Sequence, residues 1–335
     1  MSQLRDYQEK YFLPFLNELE LFVSGLLKTD HPELKEIFRY HLGLDDDPIK
    51  QGKRIRPIFT LLCTEGGGGD WKTAVPAAIA IELIHNFSLI HDDIEDNGLY
   101  RRSKETVWVK WGLPKGLNAG DAMFSSAFAA ICNLKNYLPS EIVVEAVELL
   151  SSVCLKLTSG QQLDIDFENH EKVRIQEYYE MISGKTAALL ACCAEMGALI
   201  AGLDKEEQIK YHQFGIELGM AFQMYDDWLG IWGDPKITGK SASSDLLEGK
   251  KSLPILLGME NSKRFFEKWE SKSITTDNAA ELATWLREDG IEDLVMEQFN
   301  LWNQKGLRSL AALKCDNGIR LVLNELAEKL LTRNK

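Results

Sequence analysis

The sequence predicts an all-α protein: a single large antiparallel helical bundle with a central cavity. Three observations predict it. No alternating strand pattern runs beyond a few residues. Apolar residues recur at spacings of three and four, as in Ile142, Val143, Ala146, Leu149, Leu150 and Val153. The stretch from Glu141 to Gly233 lacks proline, while Pro32, Pro48, Pro57, Pro114, Pro139, Pro235 and Pro254 fall at helix-end positions.

Taken in order, GKRIRP places Lys53, Arg54 and Arg56 at a helix start. Gly66 to Gly69 followed by Asp70 is a loop, and a helix restarts near Trp71. Long helices are expected from about Trp71 to Asp96, Gly116 to Asn136, Glu141 to Asn169 and Lys205 to Ile231. They are apolar on much of their surface, so they must be buried among other helices. Any polar site is then built from side chains facing the bundle interior. From about Asn261 the chain is more charged and amphipathic, and it is expected to pack around the outside. With no repeat, linker or low-complexity tract, residues 1–335 read as one domain, its motif-bearing core at about 50–256.

Composition narrows the classes. The 335 residues are 45% hydrophobic and 27% charged, the balance of a globular protein rather than a disordered or collagen-like one. Thirty-eight basic against 51 acidic side chains give a net charge of −13, which argues against a general nucleic-acid binder. The apolar stretches read as too short and interrupted for a membrane span of ~20 residues. MSQLRDYQEKYF has no apolar core of a signal peptide. Six cysteines without a CxxC pair read as reduced core thiols of a cytoplasmic protein.

The strongest local signal is LIHDDIEDNGLYRR. Asp92 and Asp96 are four apart on a helix and share a face. Carboxylates on one turn repel unless a cation joins them, and a hard divalent ion, Mg2+ above others, is the natural partner. A second pair, Asp226 and Asp227, lies near the end of another apolar helix, where unpaired charge is costly. Two such clusters suggest facing walls of one metal-filled cavity, and the implied ligand is a phosphate or diphosphate. Basic residues accompany them: Lys53, Arg54 and Arg56; Arg101 and Arg102; Lys185 beside Thr186; Lys240, Lys250 and Lys251. Other motifs fail on spacing. Glu82-x-x-His85 is half of a di-iron signature without its second half. The two GK[ST] tripeptides lack the P-loop's first glycine, with Tyr179 and Asp234 in its place.

On these residues the chain resembles the trans-isoprenyl diphosphate synthases, the polyprenyl synthetase family. GKRIRP, IELIHNFSLIHDDIEDNGLYRR, NAGDAMF, SGQQLDIDFE, MISGKTAALLACCAEMGAL and FQMYDDWLGIWGDPKITGKSASSDLLEGKKSLP carry the resemblance, in family order. It implies a Mg2+-dependent prenyltransferase that joins isopentenyl diphosphate to an allylic diphosphate (dimethylallyl, geranyl or farnesyl) by ionisation, condensation and elimination. It implies two Mg2+ on Asp92 and Asp96, with Asp93 supporting, and a third on Asp226, with Asp227 nearby. Gly230 stands where the family often has a third aspartate. The isopentenyl diphosphate pocket maps onto Lys53, Arg56, His85 and Arg102. The allylic diphosphate contacts map onto Arg101, Lys185, Lys240 and Lys250, with Thr186 and Gln223 along the carbon that becomes cationic. Gln161 and Asp164 line the same cavity. The metals and basic side chains stabilise the departing diphosphate, and apolar walls keep water from the carbocation.

Product length follows from the first aspartate helix. Phe87, five residues before Asp92, lies about 7.5 Å lower along it at 1.5 Å per residue. In the family an aromatic there makes a floor, and a second at the next position shortens the product. Phe87 with the small Ser88 implies geranylgeranyl diphosphate, C20, with C15 and C25 or longer as alternatives. A terpene cyclase of similar fold would not need GKRIRP, and a non-catalytic regulatory subunit would lose an aspartate motif. The family further implies a homodimer, and the sequence reads as having no membrane anchor.

Overall fold

A computed structural model of the chain describes residues 3–26, 31–46, 52–170, 172–234, 243–271 and 273–332. They are almost wholly helical, as expected, and form two compact units. One comprises Met1–Cys154, Cys192–Ile209 and Lys314–Leu323; the other comprises Leu155–Ala191, Lys210–Leu313 and Asn324–Lys335.

The first unit holds α1 (Gln3–Leu26), α2 (Pro32–Leu42), α3 (Ile55–Gly66), α4 (Val75–Glu95), α5 (Val107–Trp111) and α6 (Leu113–Ile131). The start of α7 (Ser140–Asn169) also belongs to it. A 3₁₀ turn, Trp71–Ala74, leads into α4, and the Asp70 side chain caps it by accepting from the Lys72 amide at 3.0 Å. Pro76 opens α4 in the first turn, where its missing N–H costs nothing. The helix is nearly all apolar up to Ile84, and every residue from Val75 to Ile84 is buried. It packs along α6 and against α3. Apart from Glu82, which is buried, the acidic residues of α4 gather near its C-terminal end.

The only strands among the described residues are Tyr100–Arg101 and Lys104–Glu105, a two-residue antiparallel ladder just after α4. Its turn, Arg102-Ser103, has φ of +51° and +62°. Side chains rarely adopt such values, and strain of this kind persists only where surroundings enforce it. Here they do: Thr106 Oγ1 and Trp108 Nε1 both donate to the Gly98 carbonyl, and Tyr40 donates to that of Glu105. No strand pattern of that length is visible in the sequence.

The second unit takes the rest of α7, then α8 (Ile175–Ile182), a π-turn (Ser183–Ala187) and the start of α9 (Ala188–Ile200). It also takes most of α10 (Lys205–Trp232), then α11 (Ser244–Glu248), α12 (Leu253–Asn261), α13 (Lys263–Glu270), α14 (Thr276–Glu288) and α15 (Ile291–Ala312). The end of α16 (Asn317–Thr332) completes it. Trp228 and Trp232 anchor the end of α10, donating to Glu292 Oε1 and the Ala283 carbonyl, each at 3.0 Å.

One expectation is corrected. Trp71–Glu95 and Ile175–Ile200 are long and apolar enough to cross a membrane, contrary to the reading of the sequence. Their most apolar windows are 72% and 78% buried inside the protein, which accounts for that hydrophobicity by packing. The cysteines are free thiols, four of the six buried.

Candidate active site

In both aspartate pairs the second carboxylate turns into the protein. Adjacent helical residues point about 100° apart, so packing can bury one and leave its neighbour nearer solvent. Asp92 is half-buried and Asp96 exposed, whereas Asp93 is 5% exposed. Asp93 receives Arg101 from the hairpin in a bidentate pair, Nε at 2.9 and 3.0 Å and Nη2 at 2.8 Å. Burial pushes its pKa up, and Arg101 opposes the shift.

Asp227 is 6% exposed, and its neighbour Asp226 is half-buried. The oxygens of Asp227 accept from Tyr178 Oη at 2.7 Å, the Leu253 amide at 3.0 Å and Gln223 Nε2 at 2.8 Å. Burial and the charge of Asp245 raise its pKa to about 7 against those bonds. Asp93 and Asp227, grouped by sequence with the metal carboxylates, are thus committed to protein donors.

Gly230 has its own account. A Cβ there would lie 2.4 to 2.6 Å from the carboxylate atoms of Asp245, which is itself buried. The acid missing from the α10 motif is matched by one delivered from α11 into the same space. Asp245 was not singled out in the sequence; a helix glycine at a position calling for a side chain is the signal that points to a filler.

The remaining expected residues fall into two neighbourhoods. In the first unit, Arg56 Nη1 donates to His85 Nε2 at 3.2 Å, which puts the imidazole proton on Nδ1. Burial first, then Arg56, Arg102 and Arg101, hold His85 well below its ordinary pKa, so it is a neutral acceptor. Lys53 is exposed. Arg54, at φ +43°, is buried and bridges Glu82 and the Leu42 carbonyl. Glu82 also accepts from Asn86 at 2.9 Å, so the ExxH pattern is half ion pair and half acceptor. Arg101 and Arg102 line a cavity of about 240 Å3 with His41, Tyr40, Asp93 and Lys104. Phe87 packs edge-to-face on Phe124 of α6 at 5.1 Å, and Phe124 on Phe128 at 5.2 Å, a row that sequence reading left out. Ser88 donates to the His85 carbonyl at 2.8 Å.

In the second unit the π-turn presents Lys185 and Thr186. π-turns mark functional sites often. This one depends on close backbone approach: a Cβ on Gly160 would sit 2.2 Å from the Lys185 nitrogen, and one on Gly184 would sit 2.7 Å from the Lys156 carbonyl oxygen. Lys185 Nζ meets Asp164 Oδ2 at 2.5 Å. Gln161 is half-buried on the same helix as Asp164. Thr186 Oγ1 donates to Gln223 Oε1 at 2.7 Å. Lys250 is half-buried and pairs loosely with Glu248 at 3.7 Å. Lys240 lies outside the described residues.

Among the described residues no three His, Cys, Asp or Glu side chains close into a cluster that would hold a metal alone. The donors nonetheless fit Mg2+. Asp92 and Asp96 offer carboxylate oxygens one helical turn apart, and Mg2+ is commonly bound by one or two carboxylates plus substrate phosphates and water.

A family model described as polyprenyl synthetase matches residues 32–285. The (2E,6E)-farnesyl diphosphate synthase of Mycobacterium tuberculosis is 42% identical over 229 residues, 67% of this chain but only 63% of that protein's length. The geranylgeranyl diphosphate synthase of Methanosarcina mazei is 34% identical over 319 residues, 95% of each chain. The solved structure of a polyprenyl synthase from Caulobacter crescentus, complexed with calcium and isoprenyl diphosphate, matches at a TM-score of 0.85. It is 26% identical and covers 98% of each chain.

Proposed function

Because the chain belongs to the polyprenyl synthetase family, we propose that it is a prenyltransferase joining isopentenyl diphosphate to an allylic diphosphate, with geranylgeranyl diphosphate as main product. The observation that carries this reading is the junction of the Asp92–Asp96 turn with the arginine hairpin through Asp93 and Arg101. An acidic turn for cations and a fixed guanidinium for phosphate then stand on adjoining elements.

Asp92, Asp96 and Asp226 would hold Mg2+, three ions with substrate bound, which would supply positive charge to the departing diphosphate. Arg101, Lys185, Lys240 and Lys250 bind the allylic diphosphate. Lys53, Arg56, His85 and Arg102 bind isopentenyl diphosphate, His85 serving as the neutral acceptor that orients Arg56. Thr186 and Gln223 lie along the allylic carbon, with Gln161 and Asp164 beside them. Phe87 and Ser88 set product length. The enzyme acts as one synthase domain in a cytoplasmic homodimer.

The test incubates purified protein with Mg2+, isopentenyl diphosphate and C5, C10 or C15 allylic starters, then sizes the dephosphorylated products by mass. A dominant C20 alcohol is expected. Longer or C15 products would keep the enzyme class and refute the Phe87 floor. Cyclised hydrocarbon, or no isopentenyl incorporation, would overturn the proposal.

A further inference from the structure

We propose that Asp227 is a positioning residue which, through Gln223, fixes the direction of the Thr186 hydroxyl. The inference rests on the prenyltransferase reading, because that reading puts Thr186 beside the carbon that becomes cationic.

Each link is a contact in the structure. Oδ2 of Asp227 receives two donors, the Tyr178 hydroxyl and the Leu253 N–H. The Leu253 amide is the first of its helix and has no carbonyl of that helix to bind. The other oxygen, Oδ1, faces Gln223. Gln223 Nε2 donates to that oxygen at 2.8 Å, so the amide turns its nitrogen toward Asp227. Its carbonyl oxygen then points the other way, to Thr186 Oγ1 at 2.7 Å. An amide oxygen also only accepts, so the Thr186 hydroxyl must donate. With its proton committed, that hydroxyl keeps only lone pairs for its other neighbours. Beside an ionising allylic carbon this is the stabilising polarity, set in advance so that no reorientation is needed during reaction.

D227N separates this role from metal binding. The backbone N–H of Leu253 cannot become an acceptor, so the new amide must keep its oxygen at the Oδ2 position and place its NH2 opposite Gln223. Two amide nitrogens cannot bond, so Gln223 turns over. Its nitrogen then meets Thr186, whose hydroxyl must accept, and the proton swings away from Gln223. Shape is preserved while the polarity of the chain reverses.

The experiment measures kcat and KM for D227N, T186V and D227N/T186V at several Mg2+ concentrations. The expected result for D227N is a fall in kcat of about a hundredfold, the scale of losing one preorganised polar contact. KM for the allylic substrate should stay within about threefold, and the Mg2+ requirement should not move. In the T186V background D227N should cost nothing further, because the hydroxyl it misdirects is gone. Losses that multiply, or a raised Mg2+ requirement in D227N, overturn the proposal. Wild-type protein without prenyl transfer would overturn the underlying reading instead. If D227N does not fold, two milder variants decide. Y178F leaves the Leu253 donor in place and should lower kcat by threefold or less. Q223M cuts the chain in its middle and should lower kcat at least tenfold. Equal losses in the two would overturn the relay.

Discussion

Arg101 grips Asp93 with two nitrogens, Nε 2.9 and 3.0 Å from the carboxylate oxygens and Nη2 2.8 Å from one of them. The pair ties the strained hairpin to the last turn of α4. D93N keeps the shape and removes the charge. It should raise KM for the allylic diphosphate about tenfold and destabilise by about 1–3 kcal/mol, the cost of leaving a buried partner unsatisfied. Its Mg2+ titration should match wild type. A shifted titration would mean that Asp93 itself binds metal.

Gly230 should resist substitution. G230A puts a methyl 2.4 Å from Asp245 Oδ2, so one of the two must shift. Overpacking of this kind costs about 1–3 kcal/mol. G230D, which restores the acid common in the family, should be worse, since two carboxylates would contest one space. Adding D245G to G230D should recover thermal stability. If G230D alone is as stable as wild type, the exchange is disproved.

His41 predicts how stability follows pH. Burial, then Arg101 and Arg102, push its pKa to about 3 from 6.5. Among the described residues its Nε2 is buried without a hydrogen-bond partner. The folded protein therefore binds fewer protons than the unfolded chain in acid. The stabilisation is complete above pH 6.5 and is lost as pH falls from there toward 3. At pH 5 the loss is about 2 kcal/mol. Urea midpoints at pH 7.5 and 5 should differ by less in H41Q than in wild type.

Phe87 packs on Phe124, so the proposed floor would have two parts. F87A should lengthen the product by at least one C5 unit, and F124A should lengthen it less. S88F should shorten the product to C15. Mass analysis of the dephosphorylated alcohols checks all three. An unchanged C20 product in F87A would place the floor elsewhere.

The helices and the clustering of acid and base on their ends were legible because both are local patterns. Apolar residues all round α4 require burial wherever the helix goes. What the sequence hid depends on residues far apart. Tyr178 reaches Asp227 across 49 positions, and Asp245 fills a gap at Gly230. No periodicity encodes either. The members of each aspartate pair were indistinguishable in the sequence for a simpler reason. Spacing shows that two carboxylates adjoin, but only packing decides which one meets solvent. The hairpin at Arg102-Ser103 uses residues unsuited to its backbone, so no turn signal betrayed it.

The glycine crossing at Gly160 and Gly184 has a bearing on how such a protein can be altered. There main chain lies against main chain, and no side chain can be trimmed or swapped to make adjustments. The aromatic row of Phe87, Phe124 and Phe128 is the opposite case, three rings that can be exchanged one at a time. On the proposed reading a lineage or an engineer can therefore resize the product step by step, while the segment bearing Lys185 and Thr186 tolerates almost no revision. Diversity should accumulate in the measuring part and be scarce in the reacting part.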